Sequence, residues 1–253
     1  MQTVVSLYKP LGMTPLGIIE KWKEKHPEYN GVTLSYAGRL DPMAEGVVLV
    51  LVGDENKKRK DYENLPKTYA FSLLIGISTD TYDILGKITA FSPQKEYPTI
   101  TSSLLNSFTG KQTQMLPPYS SYTINGKPLY YWARRNKLTE ITLPINSITI
   151  TSLKLKAKSE ISGEDLMKYV QNCIGKVAGD FRQKEILLRW HKALKNIPDT
   201  SFPTYQFEIS CSSGTYVRSL VNAIGIKLDI PTLTLHILRT AVAKYSARNA
   251  LRL

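Results

Sequence analysis

Residues 37–46 read AGRLDPMAEG and hold one carboxylate, Asp41, between Arg39-Leu40 and Pro42, with Gly38 and Gly46 on either side. Gly, Pro and Asp at this density form a turn for backbone reasons alone. Rigid turns also hold functional groups in fixed positions. Asp41 is therefore either a turn residue that bonds its own backbone or a carboxylate presented for chemistry. Three other stretches carry side chains suited to work with it. In SCSSGTYVRSL a strand ends, Gly214 turns the chain and Arg218 falls in the first turn of a helix. Paired with an acid, that guanidinium keeps the carboxylate ionised and oriented; unpaired, it is a surface arginine. In KTYAF, Lys67 and Tyr69 open a strand. A tyrosine there either joins the core or stacks on an exposed base, a contact worth about 1–3 kcal/mol. In YKPLGMT, the turn Lys9-Pro10-Leu11-Gly12 either joins a strand to a helix or lets the backbone approach a phosphate.

The elements that must position these residues are legible from periodicity and turn chemistry. A short strand, TVVSLYKP, precedes a helix in which Thr14 caps, Pro15 takes the first turn and Ile18, Ile19 and Trp22 share a face. VVLVLVG after the Asp41 turn is a buried strand, and ENKKRKDYENLP is a polar helix. Tyr69, Phe71, Leu73 and Ile75 alternate along a half-buried strand. ISTDTYDILGKI is a loop from which Gly86 opens another short strand, and residues 98–109 are helical with Thr101 or Ser102 at the cap. Asn125-Gly126 marks a hairpin, followed by a helix in PLYYWARRN. Residues 139–158 form a strand and residues 163–197 two helices, the second capped by Asp180. The chain then reads strand, glycine turn and helix over 203–228, and closes with a strand and a short terminal helix. The expected fold is α/β (α+β): a mixed, mostly antiparallel sheet with flanking helices.

Composition narrows the function classes. The chain has 253 residues, enough to bury a sizeable core. Its formal net charge of +12 points to a polyanionic partner, or else to a lysine-rich solvated surface. No apolar run approaches the roughly 18 residues of a membrane span, and no signal peptide pattern opens the chain. Cys173 and Cys211 form no CxxC pair, and the three histidines stand apart, so a zinc site is not expected and a reducing, cytoplasmic setting is. No GxGxxG follows a strand and no GxxxxGK[ST] is present, which leaves a nucleotide cofactor without support.

Taken in order, KPLGMT, AGRLDPMAEG, KTYAF with TDTYDILG, PPYSSYTINGKPLYYWAR, CSSGTYVRSL and LRTAVAKY resemble the TruB-type tRNA pseudouridine synthases, from about Tyr8 to about Tyr245. The resemblance implies isomerisation of uridine to pseudouridine in RNA, at position 55 of the tRNA T loop, without cofactor or metal. It makes Asp41 the catalytic aspartate, paired with Arg218, and Tyr69 the ring that stacks on the extruded base. A carboxylate in that place can act as nucleophile, as base, or as a stabiliser of positive charge on the sugar. Asp83 and Tyr216 join the pocket, and Lys9, Tyr36, Arg39 and Lys67 complete the substrate-binding set. The family usually carries Gly-His-Thr-Gly where this chain has SYAG, so Tyr36 stands at the histidine position. The resemblance further implies one catalytic domain over 1–253, with a helical insertion at 159–200. That insertion carries Lys168, Lys176, Arg182, Lys184, Arg189, Lys192 and Lys195 and either embraces RNA or is a solvated helical pair. No C-terminal PUA-like RNA-binding domain is expected, nor a protein partner; a monomer is.

Three other functions fit parts of the pattern. One is the same chemistry on a different RNA, which the Tyr36 position favours. Another is a non-catalytic tRNA-binding chaperone, which the charge allows. The last is a hydrolase with paired carboxylates, for which only Asp83 is available as second acid.

Overall fold

Strand β1 (Val4–Lys9) leads into helix α1 (Pro15–Lys25), followed by β2 (Leu34–Ala37), β3 (Ala44–Val52) and α2 (Arg59–Asn64). Then come β4 (Lys67–Ile75), β5 (Ile77–Thr79), β6 (Ile88–Phe91), α3 (Ser102–Asn106), β7 (Gly110–Met115), the small strands β8 (Thr123–Ile124) and β9 (Lys127–Pro128), and α4 (Leu129–Arg134). The remainder is β10 (Ile145–Ser162), α5 (Gly163–Gly175), α6 (Gln183–Leu194), β11 (Ser201–Cys211), α7 (Val217–Leu228), β12 (Thr232–Val242) and β13 (Tyr245–Ser246). This computed structural model describes residues 2–253.

The central sheet runs β1-β3-β12-β4-β11-β10-β7, with β2 added to β3 and β13 to β12. Every pairing is antiparallel except β3 with β12. The fold is thus mixed α/β on a largely antiparallel sheet. Alternation along β4 sorts the two faces. Tyr69, Phe71, Leu73 and Ile75 join a core completed by Val217, Leu220, Val221 and Ile224 of α7. Leu74 points the other way, into a core with Leu166 and Val170 of α5 and Ile186 and Trp190 of α6. Helix α7 therefore covers one face and the α5–α6 pair packs on the other.

Local signals explain the element ends. Thr14 caps α1 by accepting from the Gly17 amide at 3.0 Å, with Pro15 in the first turn. Thr101 caps α3 in the same way. Asn125 and Gly126 both take positive φ, 50° and 73°, and close the β8–β9 hairpin as their types favour. Among the described residues, no helix is long and apolar enough to cross a membrane.

Three expectations are corrected. The chain end is not helical: after a turn at Ala243, β13 folds back on β12 and Leu251 bridges to Leu7 of β1. The unpaired edge of β1 captures this segment, and pairing prevails over local helix propensity. Asp180 does not cap α6; Arg182 stands at that position, in a left-handed conformation, and the Asp180 carboxylate accepts from its backbone amide. The strand expected over 139–158 runs instead from Ile145 through Ser162, because β10 stays paired with β11 up to the Gly163 start of α5.

Candidate functional site

The Asp41 turn leaves β2 at Ala37 and enters β3 at Ala44, so the sheet pins both ends. Arg239 of β12 suspends the turn from the next strand. Its side chain is fully enclosed, with Nε donating to the Val47 carbonyl at 2.6 Å, Nη1 to the Arg39 carbonyl at 2.9 Å and Nη2 to the Gly38 carbonyl at 3.5 Å. From the opposite side the Gly12 amide donates to the Pro42 carbonyl at 2.8 Å, tying in the KPLGMT loop. Gly46 lets β3 and β12 approach: it has φ 111°, and a Cβ there would lie 2.2 Å from the Arg239 carbonyl oxygen. Asp41 is thereby held on a fixed backbone while its side chain stays 36% exposed.

Helix α7 brings the partner. β11 ends at Cys211, Gly214 turns the chain with φ 77°, and Tyr216 precedes the helix. The Gln114 side chain of β7 fixes that start, accepting from the Tyr216 amide at 2.7 Å and donating to the Tyr216 carbonyl at 3.0 Å. Arg218, only 3% exposed, donates from Nε to Asp41 Oδ2 at 2.8 Å, and its Nη2 lies 2.8 Å from the same oxygen in the ion pair. Its remaining donors go to the Thr81 carbonyl at 2.7 Å and the Tyr119 carbonyl at 3.2 Å. A second carboxylate, Asp83, lies 3.7 Å from Arg218 Nε. Burial alone would push the guanidinium down, but Asp41 and Asp83 hold it above its usual value. Asp83 accepts from the Thr81 hydroxyl at 2.7 Å and the Leu85 amide at 2.9 Å, yet burial pushes it up to about 6.

Two adjoining cavities open on this pair. The first, about 450 Å³, is lined by Asp41, Lys67, Tyr69, Tyr216 and Arg218 among others. The second, about 610 Å³, takes in Tyr36, Asp83, Tyr119, Arg134 and Arg182. Arg39, Leu40, Asp41, Ser121 and Arg218 line both, so the carboxylate sits where the two meet. Burial raises the Tyr69 and Tyr216 phenols. Arg39 anchors the rim by donating to the Ser121 carbonyl. The Arg59 guanidinium lies 5.7 Å from the centre of the Tyr36 ring. A carboxylate at the floor, aromatic walls and a basic rim suit a planar base on a sugar-phosphate backbone.

The structure thus gathers Asp41, Tyr69, Arg218, Tyr216, Asp83, Arg39, Tyr36 and Lys67 around one site. Lys67 lines the first cavity, but its ammonium turns back to the Glu63 and Leu65 carbonyls, and burial lowers it to about 8. Lys9 corrects its expected place in the substrate-binding set. It has no exposed surface, lines neither cavity and donates to the Pro10 and Met13 carbonyls, so its place is in the scaffold of its own loop. Burial lowers its ammonium to about 7. Arg239 and Tyr119 escaped sequence reasoning although both stand in the quoted segments LRTAVAKY and PPYSSYTINGKPLYYWAR. Periodicity marks Arg239 as an ordinary strand position, and only the fold shows which carbonyls it meets.

The model of the TruB family pseudouridylate synthase (N terminal domain) matches residues 29–169, more than half of the chain. The chain is similar to tRNA pseudouridine synthase B of Bacillus subtilis (strain 168), 29% identical over 245 residues, with 96% of this chain and 66% of that protein covered. It is similar also to tRNA pseudouridine synthase B of Lactobacillus delbrueckii subsp. bulgaricus, 26% identical over 252 residues, covering 99% of this chain and 71% of the relative. The chain therefore spans about two thirds of the length of these curated relatives. Among solved structures, a chain of a Cbf5-Nop10-Gar1 complex superposes with TM-score 0.58 at 14% identity, covering 99% of this chain and 52% of that one. A chain of an H/ACA RNP bound to a substrate RNA containing 2'-deoxyuridine gives 0.54, also at 14% identity, over 98% of this chain and 50% of that one. These two likenesses show the fold. With the family model spanning the Asp41 turn, strand β4 with Tyr69 and the Asp83 loop, the chain belongs to the TruB family of pseudouridylate synthases.

Proposed function

We propose that this chain is an RNA pseudouridine synthase whose substrate is the uridine at position 55 in the T loop of tRNA, with Asp41 as its catalytic carboxylate. The observation that carries the reading is the ion pair between the buried Arg218 guanidinium and one oxygen of Asp41, with Nε and Nη2 each 2.8 Å away, in a cavity lined by Tyr69 and Tyr216. The naming of the curated relatives as tRNA pseudouridine synthases supports tRNA as the RNA class.

In the reaction the N1–C1′ bond breaks, the base rotates, C5 bonds to C1′, the C5 proton leaves to solvent and N1 takes up a proton. Asp41 serves the sugar–base cleavage as nucleophile, base or charge stabiliser, and all three routes use the oxygen left free by Arg218. Tyr69 stacks on the everted base. Because burial raises its phenol, it stays protonated near neutral pH, which fits a stacking ring better than a phenolate base. Unstacking the target uridine costs a few kcal/mol and is cheapest in a loop. Cys173 and Cys211 are free and buried, which fits the reducing cytoplasm where tRNA is processed.

Tyr36 supports a second reading, the same isomerisation on another RNA, since its ring lines the second cavity where the resemblance calls for a histidine. Incubating the protein with a tRNA transcript and a mixture of other structured RNAs, then mapping pseudouridine, separates the two. Conversion at position 55 is expected. Conversion only at other sites favours the second reading, and tight binding without any conversion favours a chaperone.

A further inference from the structure

We propose that Arg182, on the loop between α5 and α6, is a positioning residue for the Asp41–Arg218 pair, a role that rests on the function proposed above. Arg182 is a non-glycine residue at φ 65° and ψ 24°, a left-handed conformation that an L residue keeps only where contacts enforce it. Those contacts are specific. The guanidinium forks onto Asp80, Nη1 to Oδ2 at 2.7 Å and Nη2 to Oδ1 at 3.2 Å, and Nη1 also donates to the Tyr119 hydroxyl at 2.6 Å. Its Cζ lies 4.2 Å from the centre of the Tyr119 ring. The ion pair is mostly enclosed, 15% and 23% exposed, so it is neither a loose surface bridge nor a free phosphate contact.

The two segments gripped by Arg182 are the two that hold Arg218. Tyr119 supplies a carbonyl to Arg218 Nη2, and Thr81, next to Asp80, supplies a carbonyl to Nη1. One guanidinium thus braces from outside both acceptors that orient the other. Loss of the Arg182 fork frees the Tyr119 and Thr81 segments, lets Arg218 rotate and loosens its aim at Asp41. The α5–α6 pair is in this way wired to the catalytic carboxylate, although it packs on the opposite face of the sheet from α7.

The test compares wild type with Arg182→Ala, Arg182→Lys, Tyr119→Phe and the Arg182→Ala/Tyr119→Phe double variant. Measurements are kcat, KM for T-arm RNA, the thermal midpoint, and hydrogen exchange at Arg218 Nε followed by NMR. The expected result for Arg182→Ala is a fall in kcat of about tenfold with KM changed less than about threefold. Arg182→Lys, which keeps the charge beside Asp80 but not the fork, recovers part of it. The double variant is no worse than Arg182→Ala, because both changes cut one chain of contacts. Exchange at Arg218 Nε accelerates in Arg182→Ala. The inference is overturned if KM rises with kcat held and the salt dependence of binding weakens by about one phosphate, which makes Arg182 an RNA contact. Unaltered kcat and exchange overturn it as well. If Arg182→Ala fails to fold, Arg182→Lys and Tyr119→Phe carry the same comparison. Exchange at Arg218 needs no turnover, so an inactive wild type refutes the function while leaving this inference measurable.

Discussion

Asp41 and Asp83 share one guanidinium but meet different surroundings. Asp41 faces the cavities, whereas Asp83 is enclosed beneath Arg218 with the Thr81 hydroxyl and the Leu85 amide as its donors. Burial raises Asp83 from 3.8 to about 6, so the folded protein takes up a proton there that the unfolded chain has already released. A folded-state value above the unfolded one gives stability that is complete below about pH 4 and is lost as the pH rises through about 6. The loss is on the order of 2–3 kcal/mol. Urea titrations of wild type and Asp83→Asn across pH 4–7 test this. The stability of wild type relative to the variant is expected to decline with rising pH, and a difference independent of pH contradicts the assignment. Lys9 shows the same selection by burial from the other side: a residue whose type suggests a phosphate contact is spent on two loop carbonyls. Residue type alone suggests the chemistry, but burial decides which carboxylate or ammonium can reach a substrate.

At the scale of elements, the site depends on the parallel contact of β3 with β12, where Ile237, Leu238 and Arg239 run beside Ala44, Glu45 and Gly46. Gly46 permits that approach, and Arg239 uses it to reach the turn carbonyls. Gly46→Ala puts a methyl into the Arg239 backbone and forces a positive φ on alanine. It is expected to cost about 2 kcal/mol or more and to lower turnover together with stability. Chemical denaturation with parallel activity assays checks this; a variant as stable and active as wild type contradicts the role given to the close approach. Much of this framework was legible in the sequence, because Thr14, Pro15, Asn125-Gly126 and the alternation on β4 are local signals that survive packing. The pairing of Asp41 with Arg218 was reachable only through resemblance, since 176 positions of chain separate the two and no local pattern joins them. Arg239, the left-handed Arg182 and the strand-like chain end were not legible. Each is set by a neighbouring strand or helix that the sequence does not identify.

For the molecule as a whole, the charge of +12 should govern how RNA is gathered before any base is everted. Arg39, Lys67, Arg134 and Arg182 line the cavities, but several are engaged by carbonyls or carboxylates. Affinity is therefore expected to come from many exposed lysines and arginines rather than from the cavity rim. Binding of T-arm RNA should weaken by about 10³-fold between 50 and 200 mM salt, as expected for six or so phosphate contacts. A salt-independent affinity, read by fluorescence anisotropy, contradicts this. The central claim is that the carboxylate held by Arg218 performs the isomerisation. Its most direct measurement is tritium release from RNA labelled at uridine C5, with wild type beside Asp41→Asn at equal RNA occupancy. The account predicts release by wild type and, for the bound variant, a loss of about 10³-fold or more. Release by Asp41→Asn at the wild-type rate contradicts it.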